Sequence, residues 1–364
     1  MASPLRFLRL LLLALLSCSL SACQTAGYYK QAVGGHIKLM LARQPIEEVL
    51  LDDDTSPELR EKLQILLDAR QFAVRSLSLP DNDSYSTFVR TGKQAVTWNV
   101  VAAEEFSLTP KTWCFPVAGC VSYKGFFDRL DADAYAESLS AENFDVTVGG
   151  ASAYSTLGWF DDPVLDTMLR GSDIRFVSVL FHELAHQVLY VKDDSNFNEA
   201  FATFVEQHGT RQWLEHRGES DRIDAYEEGL LRSRDFVELL RHTRENLLDL
   251  YSETLDAEAM RQRKTVTFES MRADYSALKQ RWGGYSGYDG WFRREVNNAR
   301  LLAVSTYRQY VPAFAAMFVE AQEDLPDFYE LARRVGELPH EQRKERLEEY
   351  VRAMEATESA RLLQ

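Results

Sequence analysis

Residues 181–190 read FHELAHQVLY, and residues 198–209 read NEAFATFVEQHG. Ser172 or Asp173 can cap a helix ahead of the first segment, and Phe176, Val179 and Leu180 give it an apolar face. A helix therefore runs through His182 and His186. Side chains at i and i+4 lie roughly 40° apart in azimuth and about 6 Å apart along the axis. Two imidazoles at that spacing can converge on one ion at about 2.0–2.1 Å each. Glu183 then sits on the adjacent flank, placed to hold a water rather than the metal.

The second segment supplies acids at a matching depth. Asp193 to Asn196 is polar and turn-prone, and a new helix is expected to begin near Phe197. Glu199, Thr203 and Glu206 fall at i, i+4 and i+7, on one face. A hairpin turning near 193–194 places Thr203 opposite the middle of the histidine pair, with Glu199 and Glu206 straddling that level. One glutamate can be the third protein ligand, leaving the fourth position open as a catalytic zinc requires. The other can accept a hydrogen bond from a ligand histidine's second nitrogen. Spacing alone leaves open which is which.

The two segments together resemble the gluzincin metallopeptidases, whose HExxH helix is followed by a second helix bearing a glutamate ligand. NEAFATFVE is similar to the segment that opens that helix in the aminopeptidases of the clan, and to the Asn-Glu-Ala segment of thermolysin-like peptidases. The resemblance implies that Glu199 is the third zinc ligand, with Glu206 as the alternative. The loop departs from the pattern: only 12 residues separate His186 from Glu199, whereas Glu206 follows after 19, nearer the usual count. More loosely, the cysteine loop, AYSTLGWFDDP (153–163) and HELAHQ (182–187) resemble bacterial lipoproteins described as predicted aminopeptidases.

The chemistry so implied is peptide hydrolysis by a zinc-activated water. Glu183 would act as general base, passing the proton to the leaving amine. Related peptidases use a downstream tyrosine or histidine to stabilise the oxyanion, which points to Tyr285 and Tyr288 as catalytic candidates. Tyr154 to Trp159 can be read as an edge strand that pairs with a substrate backbone, or as an ordinary core strand. Asp161 and Asp162 can anchor a free amino group, or simply form the turn that Asp-Asp-Pro favours. His208 and His216 lie beyond the helix face that meets the metal and read as packing or surface residues.

The amino end sets the expected compartment. Arg6 and Arg9 precede an apolar run from Leu10 to Leu16, too short to span a bilayer but suited to a signal peptide. Leu20-Ser21-Ala22-Cys23 resembles a lipobox, which implies cleavage after residue 22 and acylation of Cys23. Cys18 is the weaker candidate, because Leu16 stands where a smaller residue is preferred. Gln24 after the cysteine favours a lipoprotein on the periplasmic face of the bacterial outer membrane. The chain carries 41 basic against 56 acidic residues, a net charge of −15. Such a balance disfavours nucleic acid as a partner; a peptide or protein substrate is expected.

Beyond Cys23 only Cys114 and Cys120 remain. In an oxidising periplasm they read as a local disulfide, worth about 2 kcal/mol in the chain-entropy model. Helical periodicity covers 28–50 and 57–76. A β-rich stretch covers 84–103 and a second surrounds 144–148, with a short helix near 131–139 between them. From Ser172 onward the pattern is almost wholly helical. A break is expected near Thr265, a glycine-rich loop at 281–292, and punctuation at Pro312, Pro326 and Pro339. The expected fold is α+β, predominantly helical, with a zincin-like core in which the HExxH helix packs on a glutamate-bearing helix beside a small β-sheet. The division is a signal peptide at 1–22, a helical and β-containing lobe at 23–170, and a helical catalytic lobe at 171–364. The leading function is a zinc-dependent peptidase, an aminopeptidase in the first instance. An envelope endopeptidase and a non-catalytic binding lipoprotein are the alternatives.

Overall fold

Pro45 interrupts what the apolar periodicity of 28–50 presents as one helix. In the computed structural model, which describes residues 27–115, 119–156, 159–305 and 309–362, helix α1 runs over 27–41 and stops. A proline has no amide hydrogen and pushes the preceding residue out of the helical region. The chain accordingly forms the two-residue strand β1 (Gln44–Pro45) before α2 (Ile46–Leu51) begins. The signal peptide, Cys18 and the lipobox through Cys23 lie outside the described residues, as do Leu157 and Gly158.

Helix α3 (Pro57–Ser76) occupies the range its periodicity predicts, with the Ser56 hydroxyl accepting from the Leu59 amide. Its Leu63, Leu66, Ala69, Phe72 and Ala73 are buried at helical spacing. The β-rich region divides into β2 (Thr87–Val89) and β3 (Thr97–Glu104). A short hairpin follows, β4 (Trp113–Phe115) with β5 (Gly119–Val121), in which Cys114 and Cys120 face each other and are joined by a disulfide. Then come β6 (Lys124–Phe126), α4 (Arg129–Ala141), β7 (Phe144–Ala151) and β8 (Val164–Leu165).

The strands make two small sheets besides that hairpin. β3 is central in one, antiparallel to β6 and to all of β7. In the other, β2 pairs antiparallel with β1 and parallel with β8. The described part of Tyr154–Trp159 forms no strand. Instead the Asp162 carboxylate accepts from the Thr156 amide at 2.7 Å, folding the segment into a loop.

The helical half comprises α5 (Asp173–Val188), α6 (Ser195–His216), α7 (Ser220–Ser252), α8 (Ala257–Arg281), the one-turn α9 (Asp289–Phe292), α10 (Asn298–Ser305), α11 (Val311–Glu320), α12 (Leu325–Gly336) and α13 (His340–Leu362). The expected break at Thr265 does not occur. Its hydroxyl bonds the Arg261 carbonyl within α8, and the helix continues. The break falls instead at 253–256, where Asp256 caps α8 by accepting from the Ala259 amide. Pro312 and Pro326 open α11 and α12 rather than ending helices, as their missing amide hydrogens allow in a first turn.

The largest buried cluster joins residues from both sides of position 170: Leu63, Leu66 and Phe88 meet Phe181, Phe201, Phe314 and Phe328. A second cluster, around Phe236, Leu240, Leu247 and Phe268, fills the space between α7, α8 and the β3 sheet. Two polar side chains tie that sheet to the helices. Buried Asn298 donates to the carbonyls of Glu105 and Ser107 at 3.0 Å each, and Lys264 reaches Asp145 at 2.6 Å.

Candidate metal centre

Ser172 caps α5, its hydroxyl accepting from the Arg175 amide. Phe176, Val177, Leu180, Phe181, Leu184 and Ala185 bury the core-facing side of that helix. His182 and Glu183 are left half-buried on its flank, and His186 is buried. Helix α6 starts two residues earlier than Phe197, because Asp194 caps it by accepting from the Phe197 amide at 3.0 Å. Asp194 is itself gripped by Arg343 of α13 at 2.7 Å, with both side chains almost out of water.

Asn198 explains the asparagine beside the glutamate. Its Oδ1 accepts from the Val191 amide and its Nδ2 donates to the Val191 carbonyl, both at 2.7 Å, which closes the connection between the helices. Farther along, the buried hydroxyls of Ser178 and Thr210 bond at 2.9 Å. Gly209 permits this approach: a Cβ there would lie 2.6 Å from Leu77 and 3.1 Å from Phe181. The pairs Ser178–Thr210, His182–Glu206 and His186–Glu199 step in opposite directions along α5 and α6, so the two helices form an antiparallel hairpin.

The hairpin brings three of the residues singled out in the sequence together. Nε2 of His182 lies 3.3 Å from one oxygen of Glu199, and Nε2 of His186 lies 3.8 Å from the other. The candidate ligand atoms of His182, His186 and Glu199 all fall within 4.8 Å of one another. Ligands held at about 2.0–2.1 Å in a tetrahedron sit roughly 3.3 Å apart, so this donor set suits a zinc-sized ion with little adjustment. Among the described residues, no other group of histidines, cysteines and acids converges in this way. Glu206 lies on the far side of the ring, its carboxylate 3.0 Å from His182 Nδ1.

Charge and burial polarise the site. Burial works to lower the His182 pKa, but hydrogen bonds to Glu199 and Glu206 outweigh it and hold the imidazole well above its ordinary value. His186 is pushed down to about 4, first by burial and then by the charge on His182. For Glu199, burial is opposed and overcome by the His182 hydrogen bond and the two histidines, and its carboxyl stays ionised. Glu183 is raised to about 7, chiefly by burial, with the charges of Glu199 and Asp162 adding.

Several residues around this cluster carry no local motif. Asp162 is fully buried, with its carboxyl pushed up to about 6 by burial and its charge felt by Glu183. Among the described residues its Oδ1 has no hydrogen-bond partner. Asp161 is exposed, and its carbonyl accepts from Arg43. Ser155 hydrogen bonds Glu183, and buried Tyr85 lies within the field of Glu183 and Asp162. Tyr123 lies within the field of Glu199, Tyr190 and Glu183, and burial raises its hydroxyl far above the ordinary tyrosine range. It leaves the disulfide hairpin by way of β5. That hairpin is docked on the turn between α5 and α6, where the Cys120 amide donates to Asp193 at 2.6 Å.

Tyr285 and Tyr288 are placed differently. Tyr288 stacks on Phe236 at 4.2 Å, and Tyr285 lies under the Arg232 guanidinium, both on the aromatic surface of α7 and α8. His208 packs between Phe204 and Phe318, and His216 packs on Phe72 and Trp213, as packing residues.

The fold and this site define an α+β protein in which an HExxH helix and a glutamate-bearing helix bring together one cluster of side chains that could hold a metal ion. The chain belongs to the family described as "Putative aminopeptidase", which matches residues 27–347, and that membership gives it a peptidase-like function. Comparison with curated proteins and with solved structures found no match.

Proposed function

We propose that this protein is a zinc-dependent peptidase that removes residues from the amino end of peptides. The observation that carries this reading is the convergence of His182, His186 and Glu199, with Glu183 beside them and Glu206 behind His182. Preference for the amino end rests on family membership.

His182 Nε2, His186 Nε2 and a Glu199 oxygen would hold the ion. A zinc in such a site supplies Lewis acidity, polarising the scissile carbonyl and lowering the pKa of a water towards about 7. Glu206 fixes the His182 tautomer and ring orientation by accepting from Nδ1. Glu183 is the general base: it takes the proton of the attacking water and delivers it to the departing amine. The Tyr123 hydroxyl, kept protonated by burial and by the neighbouring carboxylates, is the donor this site offers to the developing oxyanion. Tyr285 and Tyr288 stay with the aromatic packing of α7 and α8.

Glu183→Gln separates binding from catalysis. The variant should keep its metal and lose hydrolysis of free-amino peptides. Undiminished hydrolysis would remove Glu183 from the mechanism. Equal cleavage of amino-blocked peptides by the unmodified enzyme would make it an endopeptidase instead.

A further inference from the structure

Helix α1 has two apolar faces, and the described residues cover only one of them. On the covered side, Gln31 donates to the Gly125 carbonyl and accepts from the Phe127 amide, while Gly35 admits the Phe127 ring into space that a Cβ would fill. On the other side, Tyr29, Val33, Ile37 and Leu41 recur every fourth residue and are 40%, 54%, 48% and 82% exposed. Lys30 is exposed on that same side, and Lys38 is exposed at its edge, beside Leu41. Phe160, itself largely exposed, packs on His36 of α1 at 4.9 Å, and Trp159 beside it is more exposed still.

We infer that this face of α1, extended by Trp159 and Phe160, lies on the surface of an anionic phospholipid bilayer. Three observations select that occupant. The chain is strongly acidic overall, yet its first acidic residue is Glu47, while Lys30, Lys38 and Arg43 all fall before it. An acid-free stretch with three cations thus coincides with the apolar face that the described residues leave open, the pairing that anionic lipid attracts. Aromatic side chains at its border suit the headgroup region. Cys23, the expected acylation site, precedes residue 27 by four positions, a reach of at most about 14 Å in any conformation. An acyl chain there would hold α1 at the membrane, and no described helix is long and apolar enough to cross it. The loop carrying Trp159 and Phe160 continues to Asp162 beside Glu183, so the bilayer face and the candidate site share one segment.

The full chain with Cys23→Ser, which cannot be acylated, tests the face without the anchor. It should sediment with vesicles of phosphatidylethanolamine and phosphatidylglycerol, and about 30- to 150-fold less with phosphatidylcholine vesicles or in 0.5 M salt, as two or three cations near the surface imply. Adding Val33→Glu and Ile37→Glu should weaken partition at least tenfold while peptide hydrolysis stays unchanged, since both positions are exposed. In the acylated protein, amide exchange over 27–41 should slow when vesicles are added. Failure of the unacylated chain to bind, or binding undiminished by the double substitution, overturns the inference. Conversion of a dimer to a monomer by the same substitutions would make the face a contact between copies and overturn it as well.

Discussion

Glu206 accepts from Nδ1 of His182 at 3.0 Å, on the opposite side of the ring from the nitrogen that faces Glu199. The two acids on α6 therefore have separable duties. Glu206→Ala should retain a zinc site weakened about 10- to 100-fold, the usual cost of losing such a partner. Glu199→Ala should abolish stoichiometric binding. Zinc titration of both variants checks this, and the reverse order would exchange the two roles.

Tyr123, which follows the disulfide hairpin, lies within the field of Glu199 and Glu183 and is the proposed oxyanion donor. Removing one oxyanion donor costs about 10²–10³ in kcat. Tyr123→Phe should show that loss with unchanged metal content, whereas Tyr285→Phe and Tyr288→Phe should keep kcat within about twofold. Steady-state kinetics on a free-amino peptide decides; a normal kcat in Tyr123→Phe would exclude it as the donor.

Asn198 closes the turn between α5 and α6 with two hydrogen bonds to Val191. Asn198→Ala strands both partners in a largely buried place, at a cost of about 1–3 kcal/mol each way the backbone is left unpaired. Urea denaturation should show a lowered midpoint with an unchanged slope.

Asp162 gives stability a definite pH dependence. Its folded pKa is raised to about 6, chiefly by burial, while in the unfolded chain it titrates near about 3.9. The folded state holds the proton more tightly, so this contribution is complete below about pH 4 and is lost as pH rises through about 6. It amounts to at most about 3 kcal/mol. Asp162→Asn, which stays neutral, should flatten that part of the stability profile measured by urea denaturation between pH 4 and 7. An unchanged profile would mean that Asp162 is ionised in the folded protein throughout.

What could be read from the chain alone was local. The i, i+4 histidines, the capped start of α5 and the acids at i and i+7 on α6 are properties of single helices, and helical geometry carries them into space. The antiparallel hairpin followed because its connection is short. The limits of α1 and α8 depart from the apolar pattern for local reasons too, since Pro45 outweighs a continuous periodicity and the Thr265 side chain bonds its own helix instead of breaking it. Tyr123, Tyr85, Ser155 and Asp162 reach the site through long-range packing of a disulfide hairpin and two loops. No periodicity records that, so a glycine-rich aromatic loop downstream was the more visible candidate. The covered and uncovered faces of α1 were likewise indistinguishable, both being apolar.

Metal analysis of the purified chain tests the account most directly. It predicts one zinc per chain in the unmodified protein and none in the His182→Ala, His186→Ala double variant, with peptide hydrolysis lost in parallel. A folded protein without zinc, or one that keeps its full complement after both histidines are removed, would contradict it.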